Sequence, residues 1–194
     1  MSGSVGLAEM RAAMRARLSE RSAGHCERVA ATARRLAARN GVDQDAAELA
    51  GLLHDWNRDA SPETLVAEAL AAGVDVAPVE RLEPYLLHAR LARVELERDF
   101  DAIPADVLDA VESHTLGSPS MTALQKVVFV ADMIEPERRF DGVEQLRDAA
   151  ERFSVDECFR QAYACSVRHV VERALPLHPV TVEVWNAYVA EVRS

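Results

Sequence analysis

A polar side chain on the apolar face of a helix constrains a fold more tightly than an apolar one, because it must find a partner inside the core. This chain places such residues on five separate segments. His25 is followed by Val29, Ala33 and Leu36 at spacings of four, four and three, Val107 and Val111 lead to His114, and Leu124 and Val128 lead to Asp132. His88 opens a similar face with Leu87 and Leu91 beside it. In the run LAGLLHDWNRD, from Leu49 to Asp59, the leucines Leu49, Leu52 and Leu53 point inward and carry His54 and Asp55 to the edge of the core. An unpaired carboxylate there costs several kcal/mol. Taken singly, each position reads as a core residue satisfied by a nearby backbone group. Taken together, they read most economically as ligands of a shared cation, since neutral imidazole and carboxylate both bind divalent ions.

The spacing between these positions is helical throughout, with almost no period-two alternation, and Gly, Pro, Asn, Asp and Ser punctuate it. The expectation is an all-α single domain over residues 1–194, with a core at about 20–150 and extra C-terminal helices at about 154–194. Helices are expected at about 6–20, 23–39, 43–56, 62–72, 84–98, 104–114, 121–134, 141–153, 155–175 and 179–193. Asn40-Gly41 is a stop signal, and Ser61-Pro62 is a start with Pro at the first helical position. Val182, Trp185, Val189 and Val192 form a stripe at helical spacing, read as core or subunit contact.

The formal net charge of −10 argues against a sequence-independent grip on nucleic acid, which needs clustered Lys and Arg. A small phosphorylated ligand stays open, because a metal ion and a few local arginines outweigh a distant acidic surface. The three cysteines make no CxxC pair and read as reduced thiols. No apolar run approaches the roughly 20 residues that span a bilayer, and no signal peptide is evident, so the expectation is a cytoplasmic protein without membrane contact. A homodimer stays open.

The ordered set His25, His54-Asp55, His88, His114 and Asp132 resembles the HD superfamily of metal-dependent phosphohydrolases. Within it the chain is similar to the YqeK family of bacterial symmetrical bis(5'-nucleosyl)-tetraphosphatases. The segments that carry the likeness are His25 with Arg28-Val29, Leu49 to Asp59, Leu86-Leu87-His88, Glu112-Ser113-His114-Thr115, and LQKVVFVADMIEPER from Leu124 to Arg138. The resemblance implies an iron-dependent hydrolase that splits diadenosine tetraphosphate into two ADP. It implies His25, His54, Asp55 and Asp132 as metal ligands, with His88 and His114 meeting phosphate or a second metal. The chain departs from the family pattern at Arg58, Trp56, Ser22, Ser118 and Ala89-Arg90, which bears on nucleotide preference rather than on the metal positions.

Histidine and carboxylate ligands without cysteine suit Fe, Mn or Mg, with Co or Zn as substitutes. Such an ion activates water and polarises a phosphoryl oxygen. Asp55 is placed to bridge two ions if His88 and His114 hold a second; the preferred reading gives at least one of them to phosphate as an imidazolium. Arg58, Lys126 and Arg138 are candidates to assist the leaving ADP. Lys126, the single lysine, reads equally as an ordinary solvated helix position. Ser22, Thr115 and Gly117 are candidates to line the phosphate site, the latter two equally a helix end and turn. His169 and His178 are read as structural or exposed. The competing readings are another nucleotide phosphohydrolase of the superfamily, a nucleotidase or phosphodiesterase, and a non-catalytic metal-binding scaffold whose pocket Trp56 blocks.

Overall fold

The computed structural model describes residues 6–100 and 102–193, and the side chains among them up to residue 188. Every regular element among them is helical. Eleven α-helices run in chain order: α1 Leu7–Arg17, α2 Glu20–Asn40, α3 Gln44–Leu53, α4 Pro62–Ala71, α5 Pro78–Leu82, α6 His88–Asp99, α7 Ala105–Ser113, α8 Ala123–Ile134, α9 Val143–Arg152, α10 Val155–Glu172 and α11 Pro179–Arg193. A 3-10 turn, Pro84–Leu87, leads directly into α6.

The helix boundaries follow local chemistry. Ser19 caps α2 by accepting the Ser22 N–H, Asp43 caps α3, and Ser61 caps α4 ahead of Pro62. Thr122 and Gln125 form a reciprocal capping box on α8. Gly41 ends α2 in the left-handed region at φ 67°, where a side chain is disfavoured. Two boundaries differ from expectation in ways that matter. The helix through the His-Asp pair stops at Leu53, so His54 to Asp59 form a chain of tight turns. The short helix α5 was not anticipated, because five residues are too few to show a 3.6-residue period.

One large apolar core joins α1, α2, α3, α6, α7, α8, α9, α10 and α11, and a satellite of Leu65, Ala69, Leu87 and Leu91 sits beneath α4. Helices α2 and α3 approach closely at Gly51, where a Cβ would lie 2.9 Å from the Ala30 Cα. That contact sets the α3 terminus, and hence His54 and Asp55, against α2 and its His25. Cys26, Cys158 and Cys165 are buried and free. On α11, Val182 and Trp185 are exposed, whereas the side chains of Val189 and Val192 lie outside the described residues. Among the described residues, no helix is long and apolar enough to cross a membrane.

Candidate metal centre

The Asp55 carboxylate lies at the middle of four imidazoles. Its Oδ2 is 3.6 Å from His25 Nε2 and 3.4 Å from His54 Nε2, while its Oδ1 is 3.1 Å from His88 Nε2 and 3.5 Å from His114 Nε2. Asp132 Oδ1 joins the first pair, 2.9 Å from His25 Nε2 and 3.7 Å from His54 Nε2. The Nε2 atoms of His88 and His114 are 3.0 Å apart.

The opposite edge of each ring explains why all four Nε2 atoms face inward as lone pairs. His54, His88 and His114 each present Nδ1 to the carbonyl three residues back, on Gly51 at 2.8 Å, Tyr85 at 2.5 Å and Val111 at 2.7 Å. His25, inside α2 where that carbonyl is engaged by the helix, presents Nδ1 to Glu135 Oε1 at 3.2 Å. A ring that donates from Nδ1 carries its lone pair on Nε2. The centre is therefore a set of acceptors facing acceptors, and His54 Nε2 and both Asp55 oxygens are buried without a hydrogen-bond partner.

A cation resolves that arrangement. Neighbouring ligands on an octahedral ion with bonds of about 2.1 Å are about 3.0 Å apart, close to the spacings seen here. Among the described residues, two groups could hold such an ion, His25-His54-Asp55 and Asp55-His88-His114. The absence of cysteine and the mix of imidazole and carboxylate fit a divalent metal ion.

Electrostatics keep the ligands in binding form. Burial pushes the Asp55 carboxyl up, but positive charge on the surrounding edges of His54, His114 and His88, the part a bound cation would take over, holds it well below the usual carboxylate range. Asp132 is likewise depressed against its burial by His25 and Arg138. Burial pushes the His88 imidazole below its ordinary value, against the pull of Asp55 beside it.

The other candidates divide. Arg58 Nη1 lies 3.4 Å from Asp55 Oδ2, and Arg138 donates from Nη2 to the Asp132 carboxylate and from Nε to the Asp132 backbone carbonyl. Thr115 Oγ1 is 3.0 Å from His114 Nε2 and 3.3 Å from His88 Nε2. Ser22 is at the cleft wall, with its hydroxyl bound to Asp59 at 2.6 Å. Lys126 lies apart from the four imidazoles in its described contacts: its ammonium is 2.7 Å from Asp156 and 4.9 Å from the Tyr188 ring centroid, between α8 and the helices α10 and α11. Gly117 forms a left-handed turn at φ 75°, where an added Cβ would meet Tyr163 of α10, Val184 of α11 and Met121. Trp56 does not block the centre; it is buried edge-on against Phe100 with the Arg17 guanidinium over its ring.

A cleft of about 890 Å³ opens onto the centre at His25. Five arginines line it, Arg21, Arg28, Arg58, Arg138 and Arg139, with His169 from α10. Three acids, Asp59, Glu135 and Glu137, line it too, so arginines outnumber acids there although the chain as a whole is acidic. No role was assigned from the sequence to Glu135, Arg28 or Arg139, and His169, read there as structural or exposed, lines the cleft with them.

A family model described as HD domain matches residues 22–137. The symmetrical bis(5'-nucleosyl)-tetraphosphatase of Bacillus subtilis (strain 168) is 32% identical over 178 residues, covering 92% of this chain and 95% of that one. The protein of the same name from Staphylococcus aureus is 29% identical over 175 residues, with 89% of each chain covered. A crystal structure from Clostridium acetobutylicum, described as a predicted HD superfamily hydrolase involved in NAD metabolism, matches with a TM-score of 0.90 at 29% identity, covering 97% of this chain and 100% of that one. The chain belongs to the HD-domain family, in the group that holds the symmetrical bis(5'-nucleosyl)-tetraphosphatases.

Proposed function

We propose that this protein is a metal-dependent hydrolase that splits diadenosine tetraphosphate at its central anhydride into two ADP, with iron as the preferred ion and Mn, Mg, Co or Zn as substitutes. The observation that carries the reading is the Asp55 carboxylate, which offers one oxygen to His25 and His54 and the other to His88 and His114. The relatives named for this activity, aligned over nearly the whole chain, support the substrate.

The same division of Asp55 favours two ions over one. His25, His54, Asp55 and Asp132 would hold the first, and Asp55, His88 and His114 the second. A single carboxylate then serves both groups, so no further acid is required for the second. When bound, such ions supply an activated water nucleophile and polarise the phosphoryl oxygen under attack.

The chain's own residues supply the rest. Arg58 and Arg138 lie within reach of Asp55 and Asp132 and line the cleft, where a polyphosphate brings negative charge. Thr115 adds a hydroxyl beside His88 and His114 for an inner phosphate oxygen. Arg21, Arg28 and Arg139 extend the basic lining along the cleft, which suits a nucleoside polyphosphate rather than a single phosphate. Water attacks an inner phosphorus, the central P–O–P bond breaks, and the departing ADP oxygen is stabilised by the arginines.

Incubating metal-loaded protein with diadenosine tetraphosphate, ATP and a nucleoside monophosphate, with products resolved by chromatography, tests the reading. ADP should be the sole initial product from the tetraphosphate, and the other two should turn over far more slowly. Preferred release of phosphate from the monophosphate would point to a nucleotidase instead.

A further inference from the structure

Tyr85 is the residue at this centre to which neither sequence reasoning nor the ligand set assigns a part. It stands in the 3-10 turn before α6 and is 39% exposed. Its ring stacks on the His88 imidazole, with centroids 4.3 Å apart and planes 27° apart. The Arg58 guanidinium carbon lies 4.8 Å from the centroid of the same ring, and Arg58 Nη1 donates to the Tyr85 hydroxyl. The Tyr85 carbonyl faces His88 Nδ1. One residue thus holds both a cation beside Asp55 Oδ2 and an imidazole beside Asp55 Oδ1.

A half-exposed tyrosine adds little to the core, and an arginine at the lip of a cleft is free to sample many rotamers. Fixing that arginine is what the pairing accomplishes. A guanidinium has five N–H donors, so the hydroxyl keeps one engaged while others turn toward phosphate. We propose that Tyr85 is a positioning residue for the reaction, clamping Arg58 through its hydroxyl and ring face so that the guanidinium meets the leaving diphosphate in a fixed orientation. This rests on the tetraphosphate reading above and adds to it a residue outside the metal ligands.

The test is a double-mutant cycle of Tyr85→Phe and Arg58→Ala in the metal-loaded enzyme, with metal content and thermal midpoint measured for each protein. Tyr85→Phe removes only the hydroxyl and keeps the ring on His88. It should lower kcat about tenfold, the scale of one hydrogen bond to a charged group, with KM, metal content and midpoint close to wild type. In the Arg58→Ala background the same change should have no further effect. An unchanged kcat in Tyr85→Phe, or an equal loss in both backgrounds, overturns the proposal, because a merely structural tyrosine would act independently of Arg58. If the wild type fails to split diadenosine tetraphosphate, the substrate reading falls by itself; the cycle is then run on inorganic tripolyphosphate, whose phosphate leaving group makes the same demand on Arg58, and the same outcomes decide Tyr85.

Discussion

Glu135 supports His25 from behind, with Oε1 3.2 Å from His25 Nδ1 and Oε2 accepting from Arg28 Nε at 2.7 Å. The other three site histidines rest on backbone carbonyls instead, so His25 is the ligand whose orientation a side-chain substitution can release. Glu135→Ala should weaken metal binding by roughly ten- to a hundredfold, the usual cost of removing such a support. Competition against a chelator measures it. Unchanged affinity would mean that helix α2 alone orients the ring.

Asp55→Asn should abolish turnover and release metal, because it neutralises the one carboxylate shared by both ligand groups. His88→Ala separates the groups. It should reduce the bound metal from two ions to one while leaving the first in place. A wild-type stoichiometry of one ion, unchanged in His88→Ala, would return His88 to the phosphate role.

The depressed carboxylates predict an acid sensitivity with a defined direction. Asp132 is held below the usual range in the folded protein against the push of burial, chiefly by His25 and Arg138. A group whose folded pKa is lowered contributes stability that is fully present above its unfolded value of about 4 and is lost as pH falls toward the folded one. In metal-free protein, the stability difference between wild type and Asp132→Asn should therefore be constant from pH 7 to about 5 and shrink below about 4. Urea midpoints across that range measure it, and a difference that grows on acidification would contradict the assignment.

Gly51→Ala tests the coupling of fold to site. The added Cβ would meet Ala30 Cα at 2.9 Å and Ala30 N at 3.0 Å, both backbone atoms that cannot move aside singly. Forcing α2 and α3 apart should cost about 1–3 kcal/mol and displace the carbonyl that orients His54. Thermal melts and metal affinity should fall together; a melt unchanged from wild type would show that the two helices separate freely.

Lys126→Met should leave kcat within about twofold of wild type, on the scale of a side chain that does not meet substrate. Its contacts with Asp156 and Tyr188 make it a stabilising element of the α8, α10 and α11 junction. A large kcat loss in a protein of normal stability would reinstate it in the chemistry. The case shows where the sequence was legible. His25, His114 and Asp132 were found because each continues an apolar stripe at spacings of three and four, and the structure does bring them together with His54, Asp55 and His88. Lys126 stands out in the sequence only as the single lysine and reads equally as an ordinary helix position, and six residues before Asp132 is a different face of the same helix. Glu135 and Tyr85 were illegible for a different reason. Neither continues a stripe, and each acquires its place only through a turn whose direction depends on long-range contacts. Helix α5 fell below the length at which periodicity speaks, and the early stop of α3 at Leu53 depends on the tertiary contacts that bind the following turns, including Arg17 donating to the Trp56 carbonyl at 2.8 Å.

The most direct measurement is hydrolysis of diadenosine tetraphosphate by metal-loaded protein in oxygen-18 water, with products read by mass spectrometry before any secondary turnover. The account predicts two ADP for each substrate, one of the two carrying a single labelled oxygen. AMP with ATP as the initial products, or ADP without label, would contradict it.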